Sequence, residues 1–135
     1  MEYYNSLNAG WYYNWQLTPL PGQTHMEFVP MVKNSKDRFL GEKLNEAASK
    51  HDALLAFNEP DHINQANMTV EQAIALWPKL EALDVRLGSP ATARWPLREY
   101  WIDEFISTAE EEGMDFDFLA VHMYINQDNI KLFEE

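Results

Sequence analysis

The chain has 135 residues, of which 46% are hydrophobic and 13% aromatic, enough for one domain with a buried core and too many for global disorder. Its 22 acidic residues outnumber the 10 basic ones and give a formal net charge of -12, which disfavours binding to nucleic acid or to an anionic membrane. The chain contains no cysteine, so disulfides and thiolate metal sites are excluded. We expect residues 1–135 to form a single domain.

The N-terminal sequence "MEYYNSLNAG" has neither the basic start nor the continuous apolar segment of a signal peptide. Nowhere does the chain contain the run of about 18 apolar residues that a transmembrane helix requires. As written, the sequence is expected to be soluble and unprocessed.

The predicted strands are five short apolar or aromatic segments, at residues 10–15, 27–32, 53–58, 85–90 and 117–124. Several are almost continuously apolar, which is typical of strands covered on both faces. Helical spacing of apolar residues appears at residues 35–50, 69–83 and 97–113. Strands that alternate with helices and start roughly 30 residues apart indicate right-handed βαβ units. The sequence therefore predicts an α/β fold with a parallel sheet.

Local signals predict where two of these helices begin and end. Thr69 and Gln72 occupy capping-box positions at the start of the second helix. Pro78 is expected to kink that helix or to end its first half. Gly113 is a natural stop for the third helix, because glycine readily adopts the left-handed conformation just after a helix C-terminus.

Polar residues collect where the predicted strands end. In parallel α/β sheets, and above all in (β/α)8 barrels, the carboxyl ends of the strands carry the active site. We therefore expect a functional site built from the residues at these strand ends, namely Asn14, Trp15, Asn58, Glu59, Asp61, Ser89, His122 and Tyr124.

Glu59 is the leading catalytic candidate, because it directly follows a buried strand, where apolar surroundings can raise a carboxyl pKa toward that of a proton donor. Cleavage of a glycosidic bond needs such an acid together with a second carboxylate. Asn58 beside it could hydrogen-bond a sugar hydroxyl. In the competing structural interpretation, Asn58 and Asp61 only shape a turn around Pro60.

The aromatic cluster of Trp11, Tyr12, Tyr13 and Trp15 could stack on the apolar faces of sugar rings. Alternation along a strand sends about half of these rings into the core. We expect Trp15 to face the site, because it adjoins Asn14 at the end of its strand. Packing in the core is the alternative role.

His122 and Tyr124 are two residues apart and should point to the same side of their strand. There they could orient a carboxylate or bind a hydroxyl group. The alternative for His122 is a hydrogen-bonded core histidine.

A metal site is a third interpretation of the region around Glu59. Imidazole and carboxylate ligands together suit zinc or manganese. No standard ligand spacing such as HExxH is present, so neither a metal nor another cofactor is expected. The residues that this interpretation would gather are His51, Asp52, Glu59, Asp61 and His62.

The order of several motifs closely resembles the glycosyl hydrolase catalytic core of glycoside hydrolase family 128, a group of β-1,3-glucanases with a (β/α)8 fold in clan A. The resemblance implies that Glu59 is the general acid/base and that Asn58 holds the sugar near its 2-hydroxyl. Family members are often secreted. The motifs, in chain order, are "WYYNW", "EFVPM", "LLAFNEPDHINQANMT", "RLGSPA", "WIDEFI" and "DFLAVHMY".

The same resemblance implies an incomplete barrel, because these motifs correspond to family strands two to six. We expect a partial (β/α)8 barrel of about five parallel strands. The family nucleophile, a glutamate at the end of the seventh strand, has no counterpart after Tyr124. Met123 also stands where the family usually has tryptophan, which removes a candidate for sugar stacking.

By resemblance, the chain is of the retaining endo-β-1,3-glucanase type, acting on or binding β-1,3-glucan or laminari-oligosaccharides. Glu59 is the expected catalytic residue, and the expected substrate contacts are Asn14, Trp15, Asn58, Ser89, His122 and Tyr124. The alternatives are a non-catalytic β-glucan-binding module and a metal-dependent hydrolase. Five parallel strands would leave two open sheet edges, so we also expect a homo-oligomer, most simply a two-fold dimer.

Overall fold

The computed structural model describes residues 9–22, 25–36, 40–93 and 100–124. None of the described helices is long and apolar enough to span a membrane. From β2 onward, strands and helices alternate, which gives the predicted α/β class. The elements in chain order are β1 (Trp11–Tyr12), β2 (Glu27–Phe28), α1 (Glu42–Ala48), β3 (Ala53–Leu54), α2 (Val70–Glu81), β4 (Arg86–Leu87) and α3 (Tyr100–Glu112).

Parallel pairing runs through the predicted strand segments in chain order. β1 pairs with β2, and β3 pairs with β4, in both cases parallel. A parallel bridge between Met31 and Leu55 joins the segment after β2 to the segment after β3. Another, between Gly88 and Phe118, joins β4 to residues 117–124. The carboxyl ends of these segments therefore meet at one edge, as a strand-end site requires.

Prolines interrupt the hydrogen-bond ladder after β2 and β4, while residues 117–124, predicted as a strand, form only the bridge at Phe118 among the described residues. Pro30 and Pro90 have no N–H to donate, and each lies just beyond a two-residue strand. Pairing resumes directly after each proline, at Met31 and at Ala91. The Pro30 carbonyl still accepts a hydrogen bond from the Leu55 N–H at 2.9 Å. The prolines thus shorten the strands without ending the parallel arrangement.

The predicted capping box of α2 is present. Thr69 Oγ1 accepts from the Gln72 N–H at 3.3 Å, and Gln72 Oε1 accepts from the Thr69 N–H at 3.1 Å. The helix runs through Pro78 to Glu81, so of the two expected effects of Pro78, a kink or an end, the end is wrong. A proline this close to the C-terminus removes one helical hydrogen bond, and the remaining turn is retained.

The other two helices end or begin at glycines. Gly113 has φ 70° and directly follows α3. Its N–H donates to the Glu110 carbonyl at 3.2 Å, while the Met114 N–H donates to the Ala109 carbonyl at 2.8 Å. These two bonds form a Schellman motif, so the predicted stop is confirmed. Of the helix predicted at residues 35–50, α1 forms Glu42–Ala48 after Gly41, and residues 37–39 lie outside the described residues.

The main core lies between the sheet and the helices. Trp77 of α2 is fully buried, with its ring edge-on to Phe57 (6.3 Å between centroids) and to Phe105 (4.9 Å). Its indole N–H donates to the Asp115 carbonyl at 2.9 Å, so the only polar atom of the ring is paired. Trp77 thereby joins α2, α3 and the strand segment that leads to Glu59.

The opposite side of the sheet, here called the inner face, is thinly covered. It carries a small cluster of Val29, Met31 and Leu55, with Tyr13, Ala53, Phe118 and Ala120 packed against it. Trp11 and Val121, which line cavities along this face, are 54% and 48% exposed. Among the described residues, no helix packs over this cluster.

Because the inner face is apolar and no described helix covers it, we expect the chain to associate with itself, most simply as a two-fold dimer burying at least about 1,000 Å². The net charge of -12 opposes association, but salt screens such repulsion beyond about 8 Å under physiological conditions. Light scattering at tens of micromolar protein measures the oligomeric state. A stable monomer at that concentration contradicts the predicted dimer.

Candidate active site

Asn58 and Glu59 end the segment that begins with β3, and backbone hydrogen bonds on both sides fix their position. The Asn58 N–H donates to the Lys33 carbonyl at 3.0 Å, and the Glu59 N–H donates to the Ala91 carbonyl at 2.7 Å. Glu59 has φ 48°, in the left-handed region that non-glycine residues seldom adopt. Strained backbone of this kind clusters at functional sites, where the surrounding structure enforces it.

A cleft of about 640 Å³ opens in front of Glu59, within the size range of small-molecule sites. We call it the Glu59 cleft. It is lined by Tyr13, Trp15, Lys33, Asn58, Glu59, Gln65, Val121, His122, Met123 and Tyr124.

The Glu59 carboxylate is held by two side chains that both bond to Oε1. The Tyr124 hydroxyl donates to it at 2.5 Å, and His122 Nδ1 lies 3.0 Å away. Oε2 has no hydrogen bond to a described residue, which leaves it available to a ligand. Burial raises the pKa of the Glu59 carboxyl, but the bonds from Tyr124 and His122 outweigh it and hold the pKa below its ordinary value. Glu59 is therefore ionised at neutral pH.

The two tyrosines of the cleft stay protonated at neutral pH. The bond to Glu59 raises the pKa of Tyr124 to about 12. Burial, with a smaller effect of the Glu59 charge, raises the pKa of Tyr13. Tyr124 is therefore a lasting hydrogen-bond donor to the carboxylate.

Replacing Tyr124 by phenylalanine is expected to raise the pKa of Glu59, because one of the two donors that stabilise its carboxylate disappears. A carboxyl whose folded pKa lies below its unfolded value adds stability above the unfolded pKa and loses it as the pH falls. The variant should therefore lose less stability on acidification below about pH 4.5. Titration of the Glu59 carboxyl carbon by NMR measures the shift.

The Glu46 carboxyl on α1 is an internal reference in that titration, since its pKa is lowered mainly by its own bond to Lys50. Its midpoint should stay unchanged in the variant. An unchanged midpoint for Glu59 contradicts the prediction.

Asn58 lies between two other residues of the cleft. Its Oδ1 accepts from the Trp15 indole N–H at 3.2 Å, and its Nδ2 donates to Gln65 Oε1 at 3.3 Å. The Trp15 ring is 46% exposed and edge-on to Tyr13, with 5.1 Å between ring centroids. The cleft thus combines a held carboxylate, a held amide and an accessible aromatic face, a set suited to a polyhydroxylated ligand.

A model of the family described as the glycosyl hydrolase catalytic core matches residues 3–134. The chain belongs to this family. A search of curated proteins found no match.

Solved structures similar to this glycosyl hydrolase core are enzymes of glycoside hydrolase family 128. One is a subgroup I endo-β-1,3-glucanase from Amycolatopsis mediterranei, solved in complex with laminaritriose, which is 36% identical to this chain with a TM-score of 0.82. The match covers 93% of this chain and 54% of that enzyme. A subgroup III curdlan-specific exo-β-1,3-glucanase from Blastomyces gilchristii, in complex with glucose, is 32% identical with a TM-score of 0.76, over 93% and 56%. This chain therefore spans little more than half of either enzyme.

A subgroup II endo-β-1,3-glucanase from Sorangium cellulosum is 26% identical with a TM-score of 0.71, over 93% of this chain and 59% of that one. Variants of the Amycolatopsis enzyme with a substituted glutamate have been solved with laminaripentaose and with laminarihexaose. The relationship to family 128 indicated by the sequence motifs is thus confirmed.

In this glycosyl hydrolase core, five of the eight predicted strand-end residues line the Glu59 cleft, and three, Asn14, Asp61 and Ser89, do not. The five are Trp15, Asn58, Glu59, His122 and Tyr124.

Ser89 and Asn14 bond to backbone instead of lining the cleft. Ser89 is fully buried, and its Oγ accepts from the Ala120 N–H at 2.9 Å and donates to the Pro90 carbonyl at 3.1 Å. It joins neighbouring strands and is inaccessible to a ligand in the cleft, which corrects the expectation of a sugar contact. The Asn14 amide donates to the Thr18 carbonyl at 2.9 Å and stabilises a turn.

Sequence reasoning missed the polar residues Lys33 and Gln65 of the cleft, as well as the apolar Val121 and Met123. Lys33 directly follows the second predicted strand, so the strand-end argument applied to every strand could have found it. Gln65 lies in the loop after Glu59, where no sequence signal distinguishes it from its polar neighbours.

The ligands of the metal interpretation are not brought together. His51 precedes β3 and packs edge-on against Phe28 at 5.3 Å, whereas Glu59 follows the same segment at its other end. His62 Nδ1 accepts from the Asn64 N–H at 3.1 Å. Within residues 9–22, 25–36, 40–93 and 100–124, no group of three or more potential ligands could hold a metal ion.

Proposed function

We propose that this chain forms the acid/base side of a β-1,3-glucan cleft, with Glu59 as the general acid/base of a retaining glycoside hydrolase. The observation that carries the proposal is the Glu59 carboxylate, held on Oε1 by Tyr124 and His122 in an open cleft at the strand ends. Membership of the glycosyl hydrolase core, together with solved relatives that are β-1,3-glucanases, supports the choice of substrate.

The fold underlying this proposal is an incomplete (β/α)8 barrel. Parallel pairing of the strand segments in chain order supports their assignment to family strands two to six. In a closed barrel the inner face would be covered by the remaining strands. The apolar cluster of Val29, Met31 and Leu55 on the open inner face is consistent with that arrangement.

In the proposed chemistry, Glu59 protonates the glycosidic oxygen as the bond breaks and later takes a proton from the attacking water. Because Oε1 is occupied by Tyr124 and His122, Oε2 is the oxygen that would carry the proton. Trp15 offers a partly exposed ring for stacking on a glucose face.

The second carboxylate of a retaining site should lie about 5 Å from the first. Asp61 is the nearest candidate in sequence, but its Oδ1 accepts from the Ala93 N–H at 2.8 Å and its Oδ2 is buried. Asp61 therefore supports the loop after β4 and is a poor nucleophile. A second carboxylate would also raise the pKa of Glu59 toward that of a working acid.

We therefore expect this chain alone to bind laminari-oligosaccharides and to hydrolyse β-1,3-glucan weakly or not at all. Calorimetry with laminarihexaose measures binding, and reducing-sugar release from laminarin measures hydrolysis. A cello-oligosaccharide of the same length is the control ligand, and it should bind more weakly.

Turnover in the ordinary enzyme range, about 1 to 1000 per second, contradicts the prediction and calls for a nucleophile in this chain. A complete lack of binding to laminarihexaose contradicts the proposed glucan cleft.

A non-catalytic β-glucan-binding module is the second candidate, favoured by the ionised state of Glu59. In such a module Glu59 would only accept hydrogen bonds from sugar hydroxyls. Glutamine keeps an acceptor oxygen, so affinity changes little in either role, and the two candidates are separated by hydrolysis, which Glu59→Gln would not alter in a binding module. The metal-dependent alternative predicts that a chelator abolishes any hydrolysis. Hydrolysis that survives the chelator contradicts it.

A further inference from the structure

We propose that Trp15 and Gln65 are positioning residues that lock the Asn58 side-chain amide in one orientation, so that Asn58 presents an N–H donor to the Glu59 cleft. The proposal deepens the proposed function, because the ligand group that such a donor selects is an acceptor oxygen, here a glucan hydroxyl. The locked amide itself is a property of the ligand-free chain.

The orientation of the amide follows from the chemistry of the indole ring. An indole N–H can only donate a hydrogen bond. The Asn58 atom 3.2 Å from Trp15 Nε1 must therefore be the acceptor, Oδ1. If the amide turned over, two N–H groups would face each other at 3.2 Å, and each would lose an acceptor.

Gln65 completes the arrangement on the other side of the amide. Asn58 Nδ2 carries two hydrogens, and Gln65 Oε1 at 3.3 Å accepts one of them. Among the described residues, the other hydrogen has no partner. Because Asn58 lines the cleft, this hydrogen can reach a ligand there.

The backbone places Gln65 beside Asn58 independently of these side-chain bonds. The Ala66 N–H donates to the Asn58 carbonyl at 3.1 Å, so the loop after Glu59 returns to its own starting point. The Gln65 N–H donates to the His62 carbonyl at 3.0 Å and closes a tight turn. The loop is thus built to present Gln65 at this place.

The backbone on the Trp15 side is also specialised. Trp15 has φ 57°, a conformation that is unfavourable for a residue with a large side chain. The next residue is fixed by a bond from the Met31 N–H to the Gln16 carbonyl at 2.9 Å. A strained tryptophan whose N–H reaches a buried amide 43 positions away indicates a role beyond packing.

A double-mutant cycle tests whether Trp15 acts through Asn58, with laminarihexaose affinity as the readout. Trp15→Phe keeps an aromatic face but removes the N–H. It is expected to weaken binding about tenfold, the value of roughly one net hydrogen bond. In an Asn58→Ala background the same change should have almost no further effect. Trp101→Phe, which removes an indole N–H bonded to the Met68 carbonyl at 2.8 Å outside the cleft, is the matched control and should leave affinity unchanged.

If Trp15→Phe lowers the laminarihexaose affinity equally with and without the Asn58 side chain, the proposal is overturned, because Trp15 would then act directly on the glucan.

A conservative variant tests Gln65. Gln65→Glu keeps the acceptor for Asn58 Nδ2 and should stay close to the parent affinity, whereas Gln65→Leu should lose about tenfold. Equal losses for both variants overturn the positioning role of Gln65.

A ligand-free measurement separates this proposal from the proposed function. Hydrogen exchange of the Trp15 indole N–H, followed by NMR, should accelerate at least about tenfold in Asn58→Ala, because its acceptor is gone. Exchange that does not depend on Asn58 overturns the proposal. A protected indole in a chain that fails to bind laminarihexaose supports the positioning and overturns the proposed function instead.

Discussion

Replacing Trp77 by alanine is expected to destabilise the chain by about 3 to 5 kcal/mol, the cost of deleting a large buried aromatic side chain. Trp77 is fully buried, contacts Phe57 and Phe105 edge-on, and donates to the Asp115 carbonyl. Its removal leaves a cavity and an unpaired carbonyl at once. Since small domains have only about 5 to 15 kcal/mol of stability in total, the variant should be close to unfolding.

Urea unfolding followed by circular dichroism measures the change in the free energy of unfolding. Trp11→Ala is the matched control, because Trp11 is 54% exposed on the inner face and should cost less than about 1 kcal/mol. Equal losses in the two variants contradict the assignment of Trp77 to the core. Trp77→Phe should recover part of the lost stability, since it keeps an aromatic ring but not the N–H.

The features predicted correctly from the sequence depend on residues that are close together in the chain. The capping box of Thr69 and Gln72 and the glycine stop at Gly113 are local rules, and both are present. The alternation of strands and helices also follows from local periodicity. Pro78 does not end α2, because the penalty of one proline near a helix end is small beside the packing of the Trp77 turn.

The candidate site was predicted in outline by the strand-end argument, which located Glu59, His122 and Tyr124. The argument cannot say which way a side chain points. Ser89 lies at a strand end but bonds to the backbone of the neighbouring segment, because buried hydroxyls must find a partner. The bond between Trp15 and Asn58 joins residues 43 positions apart, and no local pattern encodes it.

The charge state of Glu59 is a further outcome that sequence reasoning did not anticipate. A carboxyl at the end of a buried strand was expected to have a raised pKa, yet two donors on Oε1 lower it. Burial and hydrogen bonding act in opposite directions, so the sign depends on partners found only in the folded chain. Residues His122 and Tyr124 were identified as candidates, but their effect on Glu59 required the distances.

Joining this chain to the part of the Amycolatopsis mediterranei enzyme that it does not cover is expected to give an active β-1,3-glucanase. The shared backbone, with a TM-score of 0.82, makes such a chimaera structurally feasible. The added segment would cover the inner face and, under the proposed mechanism, bring a second carboxylate near Glu59. That charge should raise the pKa of Glu59 and so provide the protonated acid that this chain alone lacks.

In that chimaera, Glu59→Gln is expected to lower kcat/KM for laminarin by about 10² to 10⁴, the usual contribution of a general acid/base. Glutamine keeps the size and one acceptor oxygen for Tyr124 and His122, so binding of laminarihexaose should change little. Glu71→Gln, in the first turn of α2, is the matched control and should leave activity unchanged. Activity within a few-fold of the parent chimaera after Glu59→Gln rules out Glu59 as the acid/base, because no other described carboxylate of this chain lines the cleft.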